Sequence, residues 1–354
     1  MCVGRERGGR FSGGLMSEFF DRYENRPAKS REIALFRELK GIVSVARARA
    51  PALRKQMIGV DIKDIKKRAD LARIPVMRRH DLMELQSEQP PLGGFAATRL
   101  GALKRLHVSP GPFFQPEGQA RDWWGAARAL FAAGARKGDV VLNCLPYHLR
   151  TDGHMMDSGA QALGCAVIPA GDAHIGETLD AIRQVQPQFV CGSVDFLDQL
   201  LFNAKRAKLP IDCLKRGLAL GESISDERRK QFAQSGLAIR LAYVIPEVGV
   251  VAYETEMPSG AVAEGMIVNE GLILEIIAPE TGAPLGPGKV GEIVITRLNA
   301  DYPLLRFGAG DLSEILSGPS PCGRTNLRIR GVMGKVGKGA KATNGAAVLA
   351  PPRR

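Results

Sequence analysis

The chain contains no Cys-x-x-Cys pair. Its six cysteines (Cys2, Cys144, Cys165, Cys191, Cys213 and Cys322) are scattered, and several lie in apolar runs where a reduced thiol packs as a small hydrophobe. A reducing, cytoplasmic setting fits best. No apolar run approaches the roughly 18 residues of a membrane span, and the opening MCVGRERGGRFSGGL lacks the apolar middle of a signal peptide, so a soluble protein is expected. Acidic residues are missing from residue 315 onward, where Arg324, Arg328, Arg330, Lys335, Lys338, Lys341, Arg353 and Arg354 stand alone. Such an end reads as a solvated, partly disordered tail. No aromatic residue is interleaved with these bases for base stacking, so the formal charge of +12 leaves nucleic-acid binding as the last choice. A Ser/His/Asp nucleophile signature and a Gly-x-Gly-x-x-Gly after a first strand are also missing. Cys144, His148 and His154 match none of the usual zinc spacings.

What is present is an ordinary globular composition: 354 residues, 45% hydrophobic, enough for one large core or two unequal domains. Residues 1–15 carry no periodicity and read as an extension, with Met16 as the natural start. Residues 16–99 form a helical segment in which Ile33, Phe36, Leu39, Ile42 and Val43 recur at helical spacing. From 100 to 247 the pattern alternates. A strand at 104–109 precedes a helix near 119–133, in which Trp124, Ala127 and Phe131 share a face and which Gly134 can cap. Strands DVVLNCL, CAVIPA, QFVCGS, GLALG and AIRLAYV are then separated by single helices near 153–163, 176–185, 194–206 and 225–235. That order predicts right-handed crossovers in a largely parallel sheet, with ligands at the carboxyl ends of the strands. Residues 248–330 read as a β-rich meander, and 331–354 as a basic tail rich in Gly, Ala and Lys. The expected fold class is α/β, mostly parallel with crossover helices, followed by a β-rich subdomain.

Chemistry is expected at the ends of predicted strands. In YPLLRFGAGDLSEI, Gly308 and Gly310 let the backbone turn beside a ligand, and Asp311 can accept two hydroxyl hydrogen bonds, as a ribose diol requires. An Asx-capped turn explains the same residues equally well. AYVIPEVG places Tyr243 at a strand end, positioned to lie against a base, and Glu247 four residues on, positioned to bind Mg2+. A lone surface glutamate is the plainer alternative for Glu247. LGESIS ends another strand with Gly221 and Glu222, and Ser225 is a plausible N-cap. Tyr147 reads as a pocket wall. HVSPGPFFQPEG, between a strand and a helix, is either a phosphate loop or only a turn.

These stretches, taken in order with GAQALGCAVIPAG, GSVDFLDQLL, VGEIVITRLNADYPLLRFGAGDL, CGRTN and DLARIPVMRRHDLMELQ, resemble the phenylacetate-coenzyme A ligase group of the adenylate-forming enzymes. The resemblance runs from about residue 17 to about 335. It implies the large N-terminal domain of that family and ATP-dependent activation of an aryl carboxylic acid to an acyl-adenylate, then a thioester with coenzyme A. It also implies ATP, Mg2+ and coenzyme A as partners and, since such enzymes are often dimeric, a homodimer. By resemblance, Asp311 holds the ribose, Tyr243 stacks near adenine and Glu247 coordinates Mg2+. Gly221 and Glu222 line the nucleotide pocket, Ser109 and Gly111 contact phosphate, and Tyr147 flanks the aromatic acid. Lys335 replaces the Arg before the hinge.

The departures are as specific. Pro110, Pro112 and Pro116 cannot donate from a phosphate loop. Val244 and Pro246 replace the Gly and hydroxyl residue of the family's Tyr-Gly-x-Ser/Thr-Glu motif, and Gly337 stands at the hinge aspartate. No counterpart of the family's C-terminal domain, with its catalytic lysine, is read after residue 335. The alternative is therefore a truncated or degenerate member that binds nucleotide or aromatic acid without efficient ligation.

Overall fold

The computed structural model describes residues 19–221 and 223–337. The expected extension over residues 1–15, Glu222, and the four basic residues Lys338, Lys341, Arg353 and Arg354 lie outside them. The first helices, α1 (Ala28–Ala46) and α2 (Pro51–Gln56), bury Leu35, Phe36, Leu39, Val43 and Leu53. Leu35, Leu39 and Val43 are spaced so that they stack on one helix face. Ile33 falls off that stripe and is 53% exposed, contrary to the expected pattern. With Ile62, Ile65, Leu71 and Ile74 this stripe makes a core of its own, closed by Ile273 and Leu305. The chain then lays down the short strand β1 (Met77–Arg78) and helix α3 (Arg79–Glu88).

The stretch HVSPGPFFQPEG is a hairpin of β2 (Arg105–Ser109) and β3 (Phe113–Glu117), with Ser109 opposite Phe113. Pro116 sits within a strand that has only one paired neighbour, so its missing N–H costs no inner ladder bond. The following helix, α4 (Ala126–Ala132), starts seven residues later than the expected position near 119. Asp122 explains the delay: its carboxylate accepts the amides of Ala126 (2.8 Å) and Ala127 (3.1 Å), while Gly125 takes the left-handed φ of 68°. Gly134, at φ 104°, ends the helix as expected.

The alternating region forms β4 (Val140–Asn143), α5 (Thr151–Leu163), β5 (Ala166–Ile168), α6 (Ile175–Val185), β6 (Phe189–Ser193), α7 (Val194–Arg206), β7 (Arg216–Leu220), α8 (Asp226–Gln234) and β8 (Ala238–Ile245). Ser193 and Ser225 cap α7 and α8 by accepting the amides of Phe196 and Arg228. Small residues set the close packing of α4 on α5, since a Cβ on Gly159 would lie 2.6 Å from that of Ala126. The strands pair in parallel in the order β5-β4-β6-β7-β8.

Pairing turns antiparallel at β9 (Gly249–Tyr253), which local patterning did not mark. Together with β10 (Met266–Val268) and β14 (Arg328–Ile329), β9 extends the same sheet to eight strands. A second, five-stranded sheet holds β11 (Leu272–Ile277), β12 (Gly291–Arg297), β13 (Leu304–Ser313), the parallel edge strand β1, and β15 (Gly334–Lys335). Arg306, at φ 45°, is bulged out of β13. Its guanidinium reaches Glu275 (3.1 Å), the Ile74 carbonyl (2.8 Å) and the Gly282 carbonyl (2.9 Å), fastening the N-terminal core to this sheet. No described helix is long and apolar enough to cross a membrane.

The expected solvated tail is corrected at several of its bases. Arg324 is 5% exposed and donates to Glu24 (2.8 Å), a carboxylate that also accepts from Tyr253 (2.8 Å) and the Phe20 amide (2.6 Å). Arg328 donates to the carbonyls of Glu264 (3.1 Å) and Ser317 (2.9 Å). Arg330 is paired with Glu314. Residues 331–337 also pack: the amides of Met333 and Val336 bond the carbonyls of Leu312 and Gly310. The partners of these bases come from distant segments, so a local charge count cannot see them.

Glu117 anchors the hairpin base. Its fully buried carboxylate lies 3.1 Å from Lys104 Nζ, 3.0 Å from Arg105 Nη1 and 3.2 Å from His107 Nε2. Burial pushes its pKa up, but the bonds from His107 and Lys104 and the charge of Arg105 outweigh burial and bring it from 4.5 to about 2. A depressed folded pKa stabilises fully above the ordinary value, and the gain fades as pH falls toward the folded one. Glu117→Gln is expected to lower unfolding free energy by about 2 to 3 kcal/mol at neutral pH. In urea melts the gap to wild type should shrink between about pH 5 and pH 3; a gap unchanged over that range contradicts the assignment.

Candidate active site

Three local features bring Tyr243, Glu247 and Asp311 to one place. Tyr243 stands at a register shift in the β8–β9 pairing, an irregularity that re-aims a side chain. Glu247 sits in the tight turn that joins those strands, where the Val248 amide bonds the Ile245 carbonyl (2.9 Å) and Pro246 takes the second turn position. The turn is held from behind: Arg297 donates to the Glu247 carbonyl (3.2 Å) and the Trp123 carbonyl (2.9 Å) and lies over both tryptophan rings. Burial drives the Arg297 pKa down to about 10. Gly249 is required here, because it has φ 104° and a Cβ would lie 2.5 Å from the Trp124 carbonyl oxygen. Asp311 comes from β13 of the other sheet, and β15 sets Lys335 directly opposite it.

The resulting cluster is closed and balanced in charge. Tyr243 Oη donates to Asp311 Oδ2 (2.6 Å), and Lys335 forms an ion pair with Asp311 Oδ1. Arg79 makes a forked contact with Glu247, Nε to Oε1 (2.6 Å) and Nη2 to Oε2 (3.2 Å). Tyr243 is 3% exposed, Glu247 2% and Asp311 5%. Glu247 is therefore no surface glutamate. Burial, then the Asp311 charge, pushes the Tyr243 phenol well above its ordinary range, so it stays a donor. Burial opposes the Arg79 charge, but the Glu247 carboxylate outweighs it and raises the Arg79 pKa.

Arg79 carries no expectation from the sequence, yet a signal was there. It is the first residue of α3, directly after Arg78, and two cations at the positive end of a helix dipole call for carboxylate partners. Arg78 finds Glu292 (3.0 Å) and Arg79 finds Glu247. The pairing of β1 with β13, Arg78 opposite Gly308, delivers Arg79 to the Asp311 end of that strand.

The other expected residues lie outside this cluster. Gly221 directly follows β7, and its amide reaches the carbonyl of Ala242 (3.4 Å), the neighbour of Tyr243. Glu222 lies outside the described residues. Ser109 and Gly111 are at the hairpin tip. Ser109 Oγ donates to Gln115 (3.3 Å), and Gly111 rests above Met83 of α3. Gln86 of α3 bonds both the amide (2.9 Å) and the carbonyl (2.8 Å) of Phe114, so one helix carries both the hairpin and Arg79. Tyr147 is separate. Its Oη accepts from Asn143 (2.7 Å) and its ring meets His154 edge-on at 5.0 Å, within a stack that continues to His107.

Among the described residues no group of three or more His, Cys, Asp or Glu side chains is gathered to hold a metal alone. One carboxylate, Glu247, suits a magnesium ion that takes its other ligands from phosphates and water. Both Glu247 oxygens already accept from Arg79, so Glu247 would have to give up that partner to ligate a metal.

Known proteins give this geometry a context. The profile of the family described as AMP-binding enzyme matches residues 119–299. The phenylacetate-coenzyme A ligase of Thermus thermophilus is 30% identical over 313 residues, which is 84% of this chain and 68% of that relative. The phenylacetate-coenzyme A ligase of Pseudomonas putida is 31% identical over 263 residues, 70% of this chain and 58% of that one. An open conformation of 2-hydroxyisobutyryl-CoA ligase, solved with 2-HIB-AMP and CoA, shares the fold with a TM-score of 0.83 at 23% identity, covering 94% of this chain and 81% of that chain. The family profile and the 30% identical relative together place this chain among the AMP-binding enzymes, and it belongs to their phenylacetate-coenzyme A ligase group.

Proposed function

We propose that this chain activates an aryl, phenylacetate-like carboxylic acid with ATP and passes the acyl group to coenzyme A. The observation that carries the reading is the pairing of Asp311 with Tyr243 and Lys335 next to the Arg79–Glu247 pair, at the carboxyl ends of parallel strands. An ionised carboxylate has about four acceptor positions, and Asp311 uses one for Tyr243 and one for Lys335. The two left can take the ribose hydroxyls once the Lys335 side chain, 45% exposed, swings aside.

In the first step a substrate carboxylate oxygen bonds to the α-phosphorus of ATP and pyrophosphate leaves. In the second, the coenzyme A sulfur bonds to the acyl carbon, and AMP leaves with the shared oxygen. The need throughout is to balance negative charge. Magnesium, when bound, neutralises phosphate oxygens. Glu247 is the residue that would hold it, and Arg79, released from Glu247, would face the same phosphates. Gly221 and Tyr243 border the space for the base, and Tyr147 borders that for the acid. A homodimer and a cytoplasmic location belong to the same proposal.

One observation favours the second reading, nucleotide binding without efficient ligation. Between Ser109 and Phe113 the hairpin tip is Pro110, Gly111 and Pro112, so Gly111 supplies the only backbone N–H there. Phenylacetate-dependent exchange between ATP and labelled pyrophosphate separates the two. Exchange above background, exceeding that with 2-hydroxyisobutyrate and lost in Asp311→Ala, is expected. Its absence while AMP still binds by calorimetry establishes the second reading.

The Arg79–Glu247 pair has its own test. Arg79→Met leaves a buried carboxylate without its partner and is expected to cost about 2 to 3 kcal/mol of stability. Arg79→Met/Glu247→Gln should recover most of that loss in urea melts, and strictly additive losses contradict the coupling.

A further inference from the structure

The parallel sheet has a second collection of charge at the amino ends of its strands. Gly221 and Tyr243 stand at carboxyl ends of strands, whereas Arg216 is the first residue of β7 and Arg136 precedes β4. These two line a cleft of about 240 Å³ with Arg324, Cys322, Glu256 and Phe131. The cations there are not equally satisfied. Arg324 is paired with Glu24, and Glu256 with Arg240 (2.7 Å). Arg136 donates to main-chain carbonyls, of Phe131 (2.8 Å) and Ala135 (2.8 Å), and lies over the Phe131 ring (4.1 Å), but its guanidinium meets no carboxylate among the described residues and its buried Nε has no hydrogen-bond partner there. Arg216 has no hydrogen bond or ion pair among the described residues; its stem packs where a Cβ on Gly134 would lie, 2.2 Å away.

We propose that this cleft is a binding site for a small, multiply charged oxyanion of the phosphate type, separate from the nucleotide site. Two guanidiniums without carboxylates face one cleft, and a third closes it from another segment. Repulsion among such charges is relieved by an anion between them. Burial, then the charges of Arg216 and Arg324, lowers the Arg136 pKa, the direction that an anion would reverse. A cleft of about 240 Å³ lies below the usual range for drug-sized ligands and suits phosphate or pyrophosphate better than a whole nucleotide. The three arginines come from different segments, before β4, at the start of β7 and before β14. That placement meets a tetrahedral anion from several sides, where a planar carboxylate needs only one fork. An anion held there would tie the 320s segment to the parallel strands.

Cys322 provides the readout. Its Sγ lies 3.0 Å from Ser320 Oγ. Burial raises its pKa, but the hydrogen bonds of Ser320, Thr255 and Arg324 outweigh it, so the thiol titrates below its ordinary range and should be alkylated readily. Iodoacetamide modification of the full chain, resolved by peptide mass spectrometry, separates Cys322 from the other cysteines. At constant ionic strength, phosphate or pyrophosphate at about ten times its dissociation constant should slow Cys322 alkylation roughly tenfold, and malonate should not. The two phosphate arms decide which anion is preferred. Arg216→Glu should abolish the protection and Arg216→Lys should keep part of it, which guards against a simple folding defect. Unchanged alkylation with both phosphates, equal protection by malonate, or full protection in Arg216→Glu overturns the proposal.

Discussion

The carboxylate of Asp311 is the point at which the two sheets of this protein meet in one site. It sits on β13 of the five-stranded sheet, takes the phenol of Tyr243 from β8 of the eight-stranded sheet, and is faced by Lys335 from the last described strand. A buried carboxylate is tolerated only when hydrogen-bonded and paired. Asp311 therefore constrains what surrounds it: the bulge that aims Tyr243, the register that places Lys335 opposite, and the closure of both sheets over the cluster. The pairing of Arg79 with Glu247 repeats the same requirement one turn away. Because β1 runs beside β13, a single strand alignment serves both pairs.

What occupies these carboxylates also bears on function. Asp311 and Glu247, the acidic groups proposed to meet a nucleotide, are each already engaged by a basic or phenolic side chain of the chain itself. On the proposed reading, ligand binding is an exchange of partners, in which ribose hydroxyls would compete with Lys335, and phosphates with Glu247 for Arg79. The proline-rich hairpin strengthens that view. Its tip has one backbone donor, and its firm attachments are at the base, through Glu117, and along the side, through Gln86. Positive charge for phosphates is thus better placed on α3 than on the hairpin.

Much of this architecture is legible in the amino-acid order, and the parts that are not share a cause. The parallel strands show because buried strands read as short continuous apolar runs between helices. Ser193, Ser225 and Gly134 mark helix ends because caps are local. By contrast β3 is hidden by Pro112 and Pro116, which argue for a loop unless the strand has only one neighbour. β9 is hidden because only Pro246, Glu247 and Val248 separate it from β8. The start of α4 depends on Asp122 reaching over a left-handed Gly125. The basic end misleads most: Arg324 reads as tail until Glu24, 300 positions earlier, is seen against it. The site divides the same way. Tyr243, Glu247 and Asp311 announce themselves by strand-end position, but Arg79 requires the helix-dipole argument, and the occupation of Glu247 requires the fold.

A crystal structure of this chain with AMP and Mg2+ tests the central claim most directly. The account predicts that the ribose hydroxyls lie within hydrogen-bond distance of Asp311, with Lys335 moved from its Oδ1 position and the base against Tyr243. AMP bound elsewhere on the chain, or Asp311 still closed on Tyr243 and Lys335 with nucleotide present, would contradict it.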